Sequence, residues 1–441
     1  MRIFGGSQLE DNIKTFCELG DLCLVTKLAG YEFTQYFDYS EDGEIIAIRG
    51  LNVKDGNLDL TDIKRISRNI SEKLPRSKLI RNDIILTYTG SLLGQVALIR
   101  DNDKYHLAPN VCLLRPEKID PYFLYSFMRT KLFKAEVEKY KVGSGQPTIP
   151  MKNIRKIECP YLEFTEQKKV GSYIELFDKK IELNRKINEN LEEIAKALFK
   201  SWFIDFDPVR AKVVGRSTGL PDDISELFPD SFEDSDLGEI PSGWSIKSLD
   251  QIANYLNGLA LQKYAPTGDL TDLPVIKIAQ LRKGNTLESD QCSNEIADEY
   301  VIRDGDILFS WSGSLLVDIW TGGVGALNQH LFKVTSKKYK KWFFYYWTKH
   351  HLQEFQAIAK SKATTMGHIQ RRHLSEAKVL IPSSECFIKM STVFYSLLER
   401  QLNIRLESRT LTQLRDALLP KLISGELKVP EAEKMIEDVG I

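Results

Sequence analysis

At 441 residues the chain exceeds one ordinary domain of roughly 100–200 residues, so two to four folded units are expected. A hydrophobic fraction of 42% and a charged fraction of 27% suit a chain with more than one core, and no apolar run approaches the roughly 18 residues that would span a membrane. The six cysteines include no Cys-x-x-Cys pair and the start, Met1-Arg2-Ile3-Phe4-Gly5-Gly6, has no apolar stretch, so disulfides, a metal site and secretion are not expected, and the cytoplasm is.

Net charge is −1, but it is unevenly spread. From Ile204 to Ile240 ten acids face three bases, a local −7, so the remainder carries +6. A basic body with one acidic connector admits a nucleic-acid partner, and admits equally an ordinary mixed surface.

In chain order, a short helical opening is expected over Glu18-Leu19-Gly20-Asp21-Leu22, then a β-rich run, Ile45-Ile46-Ala47-Ile48-Arg49, closed by a glycine turn. Residues Asn82 to Leu93 read as an apolar strand, an aromatic among small hydroxyl residues, and a glycine turn at Gly90. Lys141 to Lys156 holds four bases and no acid around Gly143-Ser144-Gly145-Gln146-Pro147-Thr148, followed by a strand at Ile157-Glu158-Cys159-Pro160. From about Glu166 to Phe203 there is no proline and only one glycine, Gly171. Val170, Ile174, Phe177, Ile181, Leu191, Ala195 and Leu198 fall on a heptad seam, with Asn184 and Asn188 midway, where polar groups cost stability but can fix register.

The second half repeats the first. Ser248-Leu249-Asp250-Gln251-Ile252 matches the helical opening, and Pro274-Val275-Ile276-Lys277-Ile278 matches the β-rich run. Gly305 to Leu316 matches the strand-turn block without a gap, 223 residues on, and Val379-Leu380-Ile381-Pro382 matches the short final strand. A second helix is expected from about Glu385 to Leu419, ended by Pro420, with its seam at Met390, Phe394, Leu397, Gln401, Ile404, Ser408, Leu411 and Leu418. A long seam needs a partner, and the two copies match in length and in their polar breaks. The fold class expected is therefore α/β in the mixed α+β sense: two globular readers joined by two long antiparallel coiled-coil helices, a pseudo-twofold internal repeat. A rod of some 36 residues is about 54 Å long, or roughly 16 base pairs of duplex, so the helices would space two half-sites. Two unrelated amphipathic helices, each packed on its own domain, is the alternative.

Ala197-Leu198-Phe199-Lys200-Ser201-Trp202-Phe203-Ile204-Asp205-Phe206-Asp207-Pro208-Val209 resembles the close of the central conserved helix in DNA-specificity subunits of type I restriction–modification systems. Leu411 to Leu427 is similar to the close of their distal helix, and Gly238-Glu239-Ile240-Pro241-Ser242-Gly243-Trp244 is similar to the opening of their second half. The resemblance implies a first target recognition domain over 1–165, a central helix over 166–204 and an acidic linker over 205–240. It then implies a second recognition domain over 241–384, a distal helix over 385–420 and a tail over 421–441. It also implies a non-catalytic subunit that reads a bipartite double-stranded DNA site and docks two methyltransferase subunits and restriction–translocase subunits. S-adenosylmethionine, and ATP with Mg where restriction occurs, belong to those partners, and none is expected in this chain.

The residues themselves offer no chemistry. There is no Gly-x-x-x-x-Gly-Lys-[Ser/Thr] loop and no Asn/Asp-Pro-Pro-Tyr/Phe motif. His350-His351 reads as a basic, aromatic-rich helix surface, and Asp205-Phe206-Asp207 as a solvated cap or partner contact. The candidate DNA contacts fall into two regions per half. One is the strand-turn block: Tyr88, Thr89 and Ser91, and Trp311, Ser312 and Ser314, whose hydroxyls and turn amides suit phosphate. Tyr88 and Trp311 fit equally a core beneath a tight turn. The other is the basic loop: Lys141, Ser144, Gln146 and Thr148, and Lys360, Lys362, Thr364, Thr365, His368 and Arg371, side chains that include readers of major-groove edges. A merely solvated loop is the alternative. Phe199, Trp202, Phe203 and Phe206 make an apolar cluster expected to meet a partner subunit, or to pack on the first recognition domain.

Overall fold

Apolar runs closed by glycine turns, such as Ile84–Thr87 and Ile307–Ser310, form strands, and the proline-free stretch Phe164–Phe203 forms a long helix. The computed structural model describes residues 15–54, 56–361 and 367–437. They fall into two compact units: the described residues up to Ile181 together with those from Leu411 onward, and Glu182–Thr410.

In the first unit, Cys23–Lys27, Val111–Pro116, Ile84–Thr87 and Val96–Leu98 form, in that spatial order, an antiparallel sheet. Side chains alternate between its faces. Ile84 and Leu86 join the core that holds Phe123, Phe127 and the long-helix residues Ile174 and Leu422. Ile85, between them, joins Ile48 and Leu107 of a second sheet, built from Lys64–Ile66, Ile45–Ile48 and Tyr105–Leu107. The strand is buried on both sides, which is why it reads as a continuous apolar run.

The second unit repeats this plan. Asn254–Asn257, Leu331–Thr335, Ile307–Ser310 and Val317–Ile319 form the antiparallel sheet in the same order. Ile307 and Phe309 face the core of Trp342 and Phe394, while Leu308 faces Ile276 and Leu327 of the accompanying sheet. Each accompanying sheet includes one parallel pair, Ile46 beside Tyr105 in the first unit and Val275 beside Ala326 in the second.

Two long helices, Phe164–Phe203 and Ser384–Ser424, contribute to both units. In the first unit Val170, Ile174 and Phe177 share a core with Leu411, Leu418 and Leu422. In the second, Ala195 and Phe199 share one with Met390, Phe394 and Leu398. Within the second unit Asn184, buried in the seam, donates from Nδ2 to Glu407 at 2.9 Å, while Glu192 lies beside Arg405. Advancing along one helix means retreating along the other, so the pairing is antiparallel.

Three expectations are corrected. The second helix does not stop at Pro420 but runs to Ser424, where Gly425 takes φ +74°. A proline within a helix costs about 3 kcal/mol, and burial of Leu418, Leu419, Leu422 and Ile423 around it offsets that cost. Residues 421–437 are not a free tail: helix Val429–Glu437 buries Val429 and Ala432 in the first unit. The acidic connector is folded too. It carries helix Asp207–Val213 and the hairpin Phe232–Ser235 with Gly238–Pro241, and it buries Val209, Phe228 and Ile240 in the second unit. Its acids face solvent while every few residues an apolar side chain is drawn into the core.

Candidate nucleic-acid interface

The two regions singled out in each half, strand-turn and loop, form one surface within their unit. In the first unit the Tyr88 carbonyl accepts from the Ile149 amide at 2.9 Å, and the Gly90 amide donates to the Pro147 carbonyl at 2.9 Å. Between these bonds Thr89 opposes Thr148, with their hydroxyls 2.7 Å apart. Gly90 sits at φ +95°, a conformation that disfavours any residue with a Cβ. Ser91, Lys141, Ser144 and Gln146 are exposed around this frame, Lys141 in an ion pair with Glu138. Tyr88 is half-buried, packed against the core, with the Lys27 ammonium 5.0 Å from its ring centre.

The second unit makes the same two backbone bonds, Ile369 amide to Trp311 carbonyl at 3.0 Å and Gly313 amide to Gly367 carbonyl at 2.8 Å, with Ser312 opposing His368. A Cβ on Gly367 would lie 2.3 Å from the Ala359 carbonyl oxygen, so only glycine permits this approach. Trp311 is half-buried: its indole N–H donates to Asn257 Oδ1 at 2.9 Å and its ring lies 5.9 Å from Phe332 and 6.3 Å from His368. Ser312 is a correction. It is buried, with its hydroxyl 3.0 Å from His330 Nδ1, and so is not free to bind phosphate. Ser314 and His368 are exposed. Lys360, also exposed, lines a cleft of about 600 Å³ with Arg282, Gln356 and Gly313. Arg371 donates to the Tyr255 carbonyl at 3.2 Å and lies 5.6 Å from the Phe332 ring, an aimed rather than a free guanidinium. Lys362, Thr364 and Thr365 lie outside the described residues. Arg282, Asn257 and His330 were missed by sequence reasoning. Asn257 and His330 belong to strands or turns that only the fold brings beside Trp311.

The aromatic cluster is the second correction. Phe199, Trp202, Phe203 and Phe206 are 5%, 2%, 0% and 8% exposed and lie in the core of the second unit, against Trp244, Phe228, Trp342 and Phe394. Packed within this unit, they present no exposed docking surface. The aromatic run before His350-His351 is likewise a core helix: Trp342 to Thr348 are all buried in Lys341–His350. Among the described residues no group of His, Cys, Asp and Glu could hold a metal ion, and no helix is long and apolar enough to cross a membrane.

In each unit a charged clamp fastens the helix pair to neighbouring elements. In the first unit Asp178 of the first long helix accepts from Arg129 at 2.7 Å, from Tyr122 Oη at 2.6 Å and from Arg415 of the second at 2.6 Å. Burial works against this carboxylate, but Arg129, Arg415 and the Tyr122 hydroxyl outweigh it and hold the carboxyl below its ordinary value. In the second unit Glu192, further along the same helix, plays a comparable part, ion-paired with Lys349 and beside Arg405, which also reaches Asp318 at 2.7 Å. Burial opposes ionisation here too, and Lys349 and Arg405 again pull the carboxyl down.

Such a chain, a duplicated sheet-and-loop unit on paired helices, has relatives. The sequence profile of the type I restriction modification DNA specificity domain matches residues 12–193 and 241–408, one copy in each half. The chain is similar to the type I restriction enzyme MjaIX specificity subunit of Methanocaldococcus jannaschii, 28% identical over 388 residues, or 85% of either chain. It is also similar to the type I restriction enzyme HindI specificity subunit of Haemophilus influenzae, at 24% identity over 89% of this chain and 96% of that one. In fold it resembles the crystal structure of a type I restriction–modification S subunit from M. genitalium, with a TM-score of 0.53 at 16% identity, covering 92% of this chain and 95% of that chain. The profile accounts for most of the sequence, and the chain belongs to the type I restriction–modification DNA-specificity family, whose members recognise DNA and are not themselves catalytic.

Proposed function

We propose that this chain reads a bipartite site on double-stranded DNA, one half with each unit, and lends that address to catalytic subunits that it docks. One observation carries the reading: the same two backbone bonds in both units build an exposed turn-and-loop surface whose side chains differ between copies. A common frame with different readers suits an asymmetric site with two unlike halves. Phosphate contacts would come from Lys141, Ser91, Ser314, Lys360 and Arg371. Base edges would meet Gln146, His368 and the residues 364–365. The length of the paired helices would set the unread gap.

The partners proposed are two methyltransferase subunits, which would bring S-adenosylmethionine and draw the target base out of the stack, and a restriction–translocase subunit using ATP and Mg. The cytoplasm, where such a complex meets DNA, is the proposed compartment. The test is single-molecule methylome sequencing of a host that expresses this chain with its methyltransferase, set against the same host without the chain. Expected is a split methylated motif with two different halves separated by a fixed gap. A continuous motif, or methylation at unchanged sites without the chain, would overturn the reading.

A further inference from the structure

The loop that joins the sheet to the following helix differs in charge between the two units. In the first unit it carries Glu117, Lys118 and Asp120, and Asp120 caps the helix by accepting from the Tyr122 and Phe123 amides at 3.0 and 2.9 Å. The corresponding loop of the second unit carries Lys337, Lys338 and Lys340, with Lys340 in the capping position and no side-chain cap bond. A cation there forfeits the cap and opposes the positive end of the helix, which costs local stability. Lys337, Lys338 and Lys340 are exposed, and none makes an ion pair among the described residues.

Lys337 and Lys338 line a cleft of about 590 Å³ whose walls include Asn254, Ser336, Arg371 and Asp250. Both oxygens of Asp250 are occupied, one by the Ser248 hydroxyl and one by Ser375, so the cleft's one carboxylate is already engaged while its three cations outnumber it. One strand links the cleft to the reading surface. Strand Asn254–Asn257 begins at the cleft, holds Arg371 through the Tyr255 carbonyl, and ends where Asn257 accepts from Trp311. Three residues of strand cover about 10 Å, close to three base steps of duplex.

We infer that this cleft seats a phosphodiester of the DNA backbone about three base steps from the bases facing Trp311 and His368, and that the second unit therefore holds DNA more by charge than the first. This rests on the DNA-reading function proposed above. The experiment measures the affinity of the full chain, with its methyltransferase present, for a mixed-sequence duplex across a range of KCl. In the K337A/K338A variant the slope of log affinity against log salt should shrink by about one, since one neutralised phosphate contributes about 0.9. The K337R/K338R variant should keep the wild-type slope, and K118A in the first unit should change it by less than half as much. A wild-type slope in K337A/K338A, or an equal drop in K118A, overturns the inference and leaves DNA reading intact. Absence of any salt-dependent binding by the wild-type chain defeats both.

Discussion

The two recognition units share a backbone and differ in what they hang on it. At the turn, Tyr88 and Gly90 bond to the loop through the same atoms as Trp311 and Gly313. Beside those bonds the first unit places a pair of threonine hydroxyls, and the second an indole, a buried serine and a histidine. Main-chain hydrogen bonds need no particular side chain, so the frame survives while the surface changes. The ends of the two long helices show the same principle. Phe199, Trp202 and Phe203 fill the second unit, and 220 residues on Leu419, Leu422 and Ile423 fill the first. One helix end is aromatic and the other aliphatic, yet each is a core element of a recognition unit.

The strongest check on that equivalence is cavity formation. Phe203→Ala, at a position with no exposed surface, should destabilise the second unit by about 3–5 kcal/mol, and Ile423→Ala should destabilise the first by about 2–5 kcal/mol. Denaturant unfolding of the full chain reads both. If Phe203→Ala leaves stability unchanged but releases the methyltransferase, the buried assignment is wrong and the aromatic cluster is an interface after all.

The clamps come next. Asp178 is only 9% exposed and serves two arginines, so Asp178→Ala strands buried cations and should cost about 3–5 kcal/mol. Its carboxyl is held below the ordinary 3.8 in the folded chain, so the stabilisation is complete above that value and is lost as pH falls through the lower, folded one. The stability gap between the wild-type chain and Asp178→Asn should therefore be constant near neutrality and close only below about pH 4. A gap that narrows already between pH 7 and 5 would mean that another group supplies it.

Reading at the half-sites should be a smaller and more local effect. Gln146→Ala should cost about 1–3 kcal/mol of discrimination in one half of the methylated motif and leave the other half unchanged. His368→Ala should do the reverse. Loss of discrimination in both halves from either substitution would show that the units do not read separately.

Some of this is legible in the sequence alone. The repeat is, because a strand, an aromatic and a glycine turn are local patterns, and Asp83-Ile84 against Asp306-Ile307 preserves them without a gap. So are the long helices, since Val170, Ile174 and Phe177 reveal a seam by spacing alone. Periodicity marks a face as apolar but does not say what covers it, so the sequence suggests a partner subunit or the first recognition domain for the Phe199–Phe206 cluster, and it is the second unit's core that takes it. Ser312 looked free because its partner, His330, lies 18 residues away across a sheet. The acidic stretch looked like a linker because its charge dominates its composition, while Val209 and Phe228, the residues that anchor it, are too few to form a pattern. The loop lysines at 337 and 338 were visible, but only the cleft gives them a place.

The smallest expected effect tests whether the two clamps are equivalent in energy. Glu192 links the helix pair to its unit as Asp178 does, but its side chain is 43% exposed, where Asp178 is nearly sealed. Water screens the Glu192 pairs and would solvate Lys349 and Arg405 if the carboxylate were removed, and Arg405 would still hold Asp318. Glu192→Ala should therefore cost no more than about 1 kcal/mol, and the loss should shrink further in high salt, unlike that of Asp178→Ala. A cost for Glu192→Ala as large as for Asp178→Ala would mean that the second clamp is shielded from solvent by something this chain alone does not supply. A docked subunit covering the helix pair would do so, and repeating the measurement with and without the methyltransferase would separate the two cases.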